Sequence, residues 1–309
     1  MRLLFAGTPE TALPVAEAVG GVHDVVAVLT RPPAAQGRSS RLVASPVARW
    51  AEARRVEVLD PVSPRDPALA ERIRRLAPEC CVVVAYGGLI TRKLLALPRH
   101  GWVNLHYSLL PAYRGAAPVQ HALLDGRATT GVTTFRLVPA LDAGPVFLRR
   151  EVAVAADETA GDLLDRLSLI GAQAMVETLA MVEAGVSPTE QGADGVSWAP
   201  KLDPEQARLD WSRPALELAN QARAMSPDPG AWTLLAGQRF RVLRAAPGAP
   251  VPDLLAEAAP GRLWATKRKL YCRAGDGWVE LVQVQAAGKQ PMAGADWARG
   301  GWRDGMSLG

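Results

Sequence analysis

"RLLFAGTPETALPVAEAVGGVHDVVAVLT", residues 2–30, carries the reading that decides the fold. An apolar run, "RLLFAG", meets a Gly-Thr-Pro turn. A helix-like stretch, "TPETALPVAEAVGG", follows, and "DVVAVLT" is a second apolar run. Runs of this length without polar alternation suit strands covered on both faces, joined by a crossover helix. The pattern continues outward. "PALAERIRRLA" (67–77) reads as a helix, and "ECCVVVAYG" (79–87) and "GWVNLHYS" (101–108) as strands. Strands alternating with amphipathic helices predict an α/β, Rossmann-like, mainly parallel sheet, whose ligands bind at the carboxyl ends of the strands. The first turn carries only Gly7 where a dinucleotide fingerprint needs three glycines, so NAD binding is not expected. Gly7 reads instead as a tight-turn residue.

At 309 residues the chain is long enough for two domains. Apolar residues make up 49% and charged residues 21%, as in ordinary globular proteins. No apolar run approaches the ~20 residues a bilayer requires. The first ten residues read as a strand and turn, not as a secretory signal. Three cysteines, two of them adjacent at Cys80 and Cys81, point to a reducing compartment and supply no zinc-site spacing. The net charge is +4, unevenly placed: residues 206–309 hold 14 Lys+Arg against 9 Asp+Glu, while the first 205 residues hold 21 against 22. A basic module behind a near-neutral one suggests a polyanionic partner for the second part.

Boundaries follow from punctuation. "RPPAAQGRSSRLVASPVARW" (31–50) reads as a long loop rich in Pro, Ser and Arg, a functional or disordered type of segment. Residues 187–205 read as a linker between a domain at 1–186 and a second at 206–309. "PALELANQARAM" (214–225) is a helix, and "GAWTLLAGQRFRVLRAA" and "GRLWATKRKLYCRAGDGWVELVQVQ" are short strands with a hairpin signal at Asp276-Gly277. A smaller C-terminal β-barrel, OB-like in character, is the expected second domain.

The chemistry concentrates in "VNLHYSLLPAYRGAAPVQHALLDG", residues 103–126. Asn104 and His106 stand two apart on one strand, so their side chains share a face at a strand end. Ser-Leu-Leu-Pro then turns the chain. Farther on, "TGVTTFRLVPALDAGPV" (130–146) contains Asp142 before Gly144. Together these elements (Asn-x-His, Ser-Leu-Leu-Pro, Arg-Gly-x-x-Pro and Asp-x-Gly) resemble the formyltransferase family that uses 10-formyltetrahydrofolate. "WAPKLDPEQARLDW", "ARAMSPDPGAWT", "VQAAGKQPMAGADWARG" and the "GRSSRLVASPV" loop narrow the resemblance to the branch that formylates methionyl initiator tRNA.

The resemblance implies a catalytic set of Asn104, His106 and Asp142. Transfer of a formyl group between nitrogens builds negative charge on the formyl oxygen, which an amide can stabilise. It also requires a proton to be moved, which an imidazole near neutral pH can do. Ser108 is expected to be a turn residue, not a nucleophile. The resemblance further implies a folate pocket lined by Tyr86, Gly87, Gly88, Leu89 and Ile90 and by Ser108, Leu109, Leu110 and Pro111. Contacts to tRNA are expected from Arg38 and Arg41 in the long loop and from Arg239, Arg241, Lys267, Arg268 and Lys269 in the second domain. Ser39 and Ser40 stand where relatives often carry lysines, and Pro139, Ala140 and Ala143 depart from the usual surroundings of the acid. A cytoplasmic monomer without metal or membrane association is the expected setting. Two rivals are a formyltransferase acting on a sugar or other small amine and a non-catalytic RNA-binding protein. The basic second domain opposes the first, and the intact Asn-His-Asp set opposes the second.

Overall fold

The computed structural model describes residues 1–35, 41–248 and 257–309. They form two compact units. The first comprises residues 1–118, 131–152 and 164–199, and the second comprises 119–130, 153–163 and 200–309. Residues 187–199, expected as linker, thus count with the first unit and 200–205 with the second.

In the first unit β1 (Arg2–Gly7) leads through a short helical turn into α1 (Leu13–Gly20) and β2 (Asp24–Leu29). A two-residue ladder, β3 (Ala34–Ala35) with β4 (Leu42–Val43), precedes α2 (Pro46–Ala53). Then come β5 (Glu57–Leu59), α3 (Pro67–Leu76), β6 (Cys80–Val84), the single turn α4 (Arg92–Leu95) and β7 (Trp102–His106). After α5 (Pro118–Leu124), which counts with the second unit from residue 119 on, the chain runs through β8 (Thr129–Arg136), β9 (Val146–Ala153) and the long α6 (Ala160–Glu183), whose first four residues count with the second unit. The sheet order is β5-β2-β1-β6-β7-β8-β9. The first five strands are parallel, and β8 joins β7 antiparallel. From β1 the chain winds to one side through β2 and to the other through β6. Such a switch point opens a crevice at the carboxyl ends of the strands.

Central strands are apolar for the expected reason: β6, Cys-Cys-Val-Val-Val, is buried along its whole length, with β1 on one side and β7 on the other. Gly7 departs from the tight-turn reading. It has no left-handed backbone. A Cβ there would meet Phe5 Cε1 at 2.8 Å and Val84 O at 3.1 Å, so glycine permits close packing of β1 on β6. Helix α2 corrects the reading of 31–50 as loop throughout. Ser45 caps it by accepting a hydrogen bond from Ala48 N at 3.0 Å, and Pro46 follows in the first turn. The Arg38 assignment falls outside the described residues.

In the second unit α7 (Ala215–Met225) packs with β10 (Trp232–Leu235), β11 (Gln238–Pro247), β12 (Leu263–Ala265), β13 (Leu270–Arg273), β14 (Trp278–Gln285), β15 (Met292–Ala293) and α8 (Gly294–Gly301). The strands make one antiparallel sheet in the order β10-β11-β14-β13-β12, with β15 on β14. Register shifts between Val242 and Ala245 break the β11–β14 ladder, and bulges of this kind curl a sheet toward a half-barrel. Its core includes Trp211, Leu218, Phe240, Val242, Leu281 and Trp297. The Asp276-Gly277 hairpin forms between β13 and β14, and Asp276 Oδ1 also accepts a hydrogen bond from Ala215 N at 2.7 Å.

Candidate active site

The face that Asn104 and His106 share is set by what lies behind the sheet. Leu105 points to α6, where a Cβ on Gly171 would approach Leu105 Cδ2 to 2.4 Å. The residues on either side of Leu105 therefore turn toward the opposite face. There both line a cleft of about 590 Å³ at the carboxyl ends of β6 and β7, a size that suits a small-molecule site. Asp142 lines the same cleft. The three residues read from the sequence as a catalytic set are brought together.

His106 is buried, with 6% of its surface exposed. Its Nε2 lies 2.8 Å from Tyr113 O. A carbonyl only accepts, so Nε2 carries a proton and the neutral ring leaves Nδ1 as the acceptor. Nδ1 faces Asp142 Oδ2 at 3.9 Å, an electrostatic contact beyond hydrogen-bond length. Burial lowers the His106 pKa from its ordinary value, against the opposing pull of the Asp142 carboxylate and the Tyr113 carbonyl. Phe135 meets the imidazole edge to face at 6.5 Å between centroids.

Asp142 is held from several sides. Its Oδ2 accepts a hydrogen bond from Gly115 N at 2.9 Å. Its backbone is left-handed, with φ 48°. Gln191 Nε2 donates to Asp142 O at 2.9 Å and to Gly144 O at 2.7 Å, while Gln191 Oε1 accepts from Arg114 Nη2 at 2.6 Å. The glycine in Asp-x-Gly has a steric cause: a Cβ on Gly144 would stand 1.8 Å from Arg136 O. Sequence reasoning missed Gln191, which sits in the stretch read as linker and carries no local signal. It also missed the part played by Gly115, although the Arg-Gly pair was visible in the motif.

Tyr86, Gly87, Gly88, Leu89 and Ile90 all line the cleft. Leu89 is 59% exposed and presents an apolar edge at the rim. Ser108, Leu109, Leu110 and Pro111 form the turn that follows β7, directly after His106 and Tyr107 of the lining. Bonds and packing of its own fix that turn. Ser108 Oγ donates to Ala112 O at 2.6 Å, and Ser108 O accepts from Thr133 Oγ1 at 2.7 Å. Leu110 packs with Phe135 and Val146, and Arg149 Nε donates to Leu110 O at 2.8 Å. The Ser108 hydroxyl is thus spent on closing its turn, as a turn residue requires.

The basic residues of the second unit spread across its sheet. Arg239 lies over the Trp232 ring, 4.1 Å from the centroid, with Arg208 at 5.6 Å. Arg241 Nη2 donates to Pro229 O at 2.8 Å. Lys267 and Arg268 are exposed in the β12–β13 turn, and Lys269 pairs with Glu280 at 2.6 Å, which raises its pKa. Arg41, at the other end of the sequence, is exposed in the first unit.

Two family models match the chain: "Formyl transferase" over residues 2–179 and "Formyl transferase, C-terminal domain" over residues 201–301. The methionyl-tRNA formyltransferase of Streptomyces coelicolor is 50% identical over 303 residues, covering 97% of this chain and 96% of that protein. Among solved structures, HypX from Aquifex aeolicus in complex with tetrahydrofolic acid superposes with a TM-score of 0.66 at 18% identity, over 98% of this chain and 48% of that one. Methionyl-tRNA formyltransferase from Clostridium thermocellum superposes with a TM-score of 0.58 at 13% identity, over 93% of this chain and 98% of that one. At those identities the two structures show the fold alone. Half the residues shared with a relative along nearly the full length show more: the chain belongs to the formyl transferase family, among its methionyl-tRNA formyltransferases.

Proposed function

We propose that the protein transfers a formyl group from 10-formyltetrahydrofolate to the free amine of methionyl initiator tRNA. The observation that carries the reading is the convergence of Asn104, His106 and Asp142 on one cleft with an apolar wall at Leu89 and Ile90. The fit to a folate is chemical as well as volumetric. A flat, partly apolar ring system suits the wall of Tyr86–Ile90, and the polar groups gather at the far end of β7, where the transferred carbon must sit.

The co-substrate supplies the formyl carbon. The chain's residues do the rest. Asn104, placed on the same strand face as His106, offers its amide to the oxygen on which charge develops. His106 Nδ1 takes the proton that the attacking amine must lose and returns one to the departing nitrogen. Asp142 stabilises the ring while it is charged, and Gly115 and Gln191 keep Asp142 in position. Burial keeps the resting imidazole neutral, which leaves Nδ1 free to accept. Nothing in this scheme requires a covalent enzyme intermediate.

Residues 1–186 are proposed as the catalytic domain and 206–309 as the RNA-binding domain, joined through 187–205. Arg239, Arg241, Lys267, Arg268 and Lys269 are candidate phosphate contacts, and the surplus of five positive charges in that part of the sequence supports the assignment. Arg38 and Arg41 keep the same proposed role in the first. Among the described residues no helix is long and apolar enough to cross a membrane. A cytoplasmic monomer is part of the proposal, since the substrate is an aminoacylated RNA used in translation. Incubation with 10-formyltetrahydrofolate and methionyl initiator tRNA tests it. Formylmethionyl-tRNA is the expected product, and folded protein that yields none overturns the reading.

A further inference from the structure

We propose that Trp198 is the stacking platform for the terminal base of the aminoacylated RNA, a proposal that rests on the tRNA reading above. Trp198 is 58% exposed, the only aromatic among the large exposed hydrophobic side chains of the described residues. Folding alone leaves that exposure unexplained, because an indole gains substantially from burial. Its backbone is not loose. Arg114 N donates to Ser197 O at 2.9 Å, Ala199 N donates to Arg114 O at 2.8 Å, and Ala117 N donates to Ala199 O at 3.0 Å. Tyr113 N adds a bond to Ser197 Oγ at 2.8 Å.

The segment so fastened is the loop that builds the site. Trp198 is the bridge partner of Arg114, and the next residue, Gly115, lines the cleft and donates to Asp142. Close contact is built in, since a Cβ on Gly115 would lie 2.6 Å from Ala199 O. An exposed indole is therefore carried on a backbone fastened to the loop that supplies Gly115 to the site. In an aminoacyl ester the group beyond the ribose is the terminal base. Its flat face suits an indole, and a preorganised platform loses little entropy on binding it. Arg114, the bridge partner of Trp198, carries a polar side chain bonded to Gln191, which favours a base with its attached sugar over an apolar side chain as the occupant.

The test uses the full chain and initiator tRNA whose terminal adenine is replaced by 2-aminopurine, whose emission is quenched by stacking. Wild type and Trp198→Phe should quench the probe, and Trp198→Ala should not. The KM for methionyl-tRNA should rise about tenfold or more in Trp198→Ala, with Trp198→Phe near wild type and the affinity for 10-formyltetrahydrofolate unchanged in both. Equal quenching by wild type and Trp198→Ala overturns the proposal. So does parallel loss of folate affinity in Trp198→Ala, which marks a structural role. Wild-type protein that forms no formylmethionyl-tRNA defeats the functional reading instead, so the two failures are distinguishable.

Discussion

His106 Nδ1 and Asp142 Oδ2 face each other at 3.9 Å, while the opposite ring nitrogen of His106 is committed to Tyr113 O at 2.8 Å. Only Nδ1 is thereby left to exchange a proton, and the group it faces is an anion. The carboxylate raises the pKa of His106 and burial lowers it, with burial the larger effect. Asp142→Asn removes the raising influence and leaves the burial. The expected result is a fall in kcat of about 100-fold or more, in the range of a lost acid–base partner, with the acid limb of the rate profile displaced to lower pH. A pH–rate series on both proteins checks it. An acid limb that stays in place shows that Asp142 does not act on the imidazole.

The same pKa makes a statement about stability. In the unfolded chain His106 titrates near its ordinary value, about 6.5. In the folded protein it titrates lower, because burial disfavours the charged ring. Between those two values the unfolded state binds the extra proton, so stability rises with pH. The contribution of the neutral ring is fully present above the unfolded pKa. It is lost as pH falls through that value toward the folded one. His106→Gln should therefore flatten this part of the curve. Urea unfolding of both proteins from about pH 7.5 down to about pH 5 measures the difference in slope. A variant as steep as wild type places the sensitivity in other groups.

Parts of this site were legible in the sequence and parts were not. Asn104 and His106 could be paired because a strand repeats every two residues, and Asp142 could be added through the family resemblance. The wall Tyr86–Ile90 was likewise implied by the resemblance, and it lies just past the carboxyl end of β6. Ser108–Pro111 were also added through the resemblance, as the turn that follows β7. The hydrogen bonds that fix this turn were not legible, since they run to Ala112, Thr133 and Arg149, two of them distant in the chain. Gln191 was invisible for a similar reason, since its bonds to Asp142 and Gly144 span 49 and 47 residues. The fold was clearest where apolar runs are continuous, as in β1, β2 and β6. Residues 129–183, with β8, β9 and the 24-residue α6, were read only through the motif around Asp142. Helix α2 did carry a local signal, the Ser45-Pro46 pair at its start, although the loop-like composition before it obscured that.

Asn104 lies on the same face of β7 as His106 and lines the cleft. Its proposed task is to stabilise charge that exists only during reaction. Loss of such a donor lowers kcat and leaves binding of the ground state largely intact. Asn104→Ala should reduce kcat about 100- to 1,000-fold, with little change in the dissociation constant of a folate analogue. Steady-state kinetics together with direct folate titration separate the two effects. A matching loss of folate affinity assigns Asn104 to binding.

Gly144 offers a test that involves no charged or acid–base group. A Cβ at this position would be 1.8 Å from the carbonyl oxygen of Arg136 and 3.3 Å from Val138 Cγ1. Backbone cannot yield as a flexible side chain can, so Gly144→Ala must displace the loop from β8. That loop carries Asp142 two residues earlier, and Gln191 bonds to the carbonyls of both. Overpacking of this kind costs about 1–3 kcal/mol, so the variant should unfold at lower urea while remaining folded without denaturant. Its kcat should fall by about tenfold or more, because a small misplacement of a catalytic group is costly. Urea unfolding and kinetics measured on one preparation decide the matter. A variant with wild-type kcat and stability shows that the loop has room to move without disturbing Asp142, and removes steric necessity as the reason for glycine in the Asp-x-Gly motif.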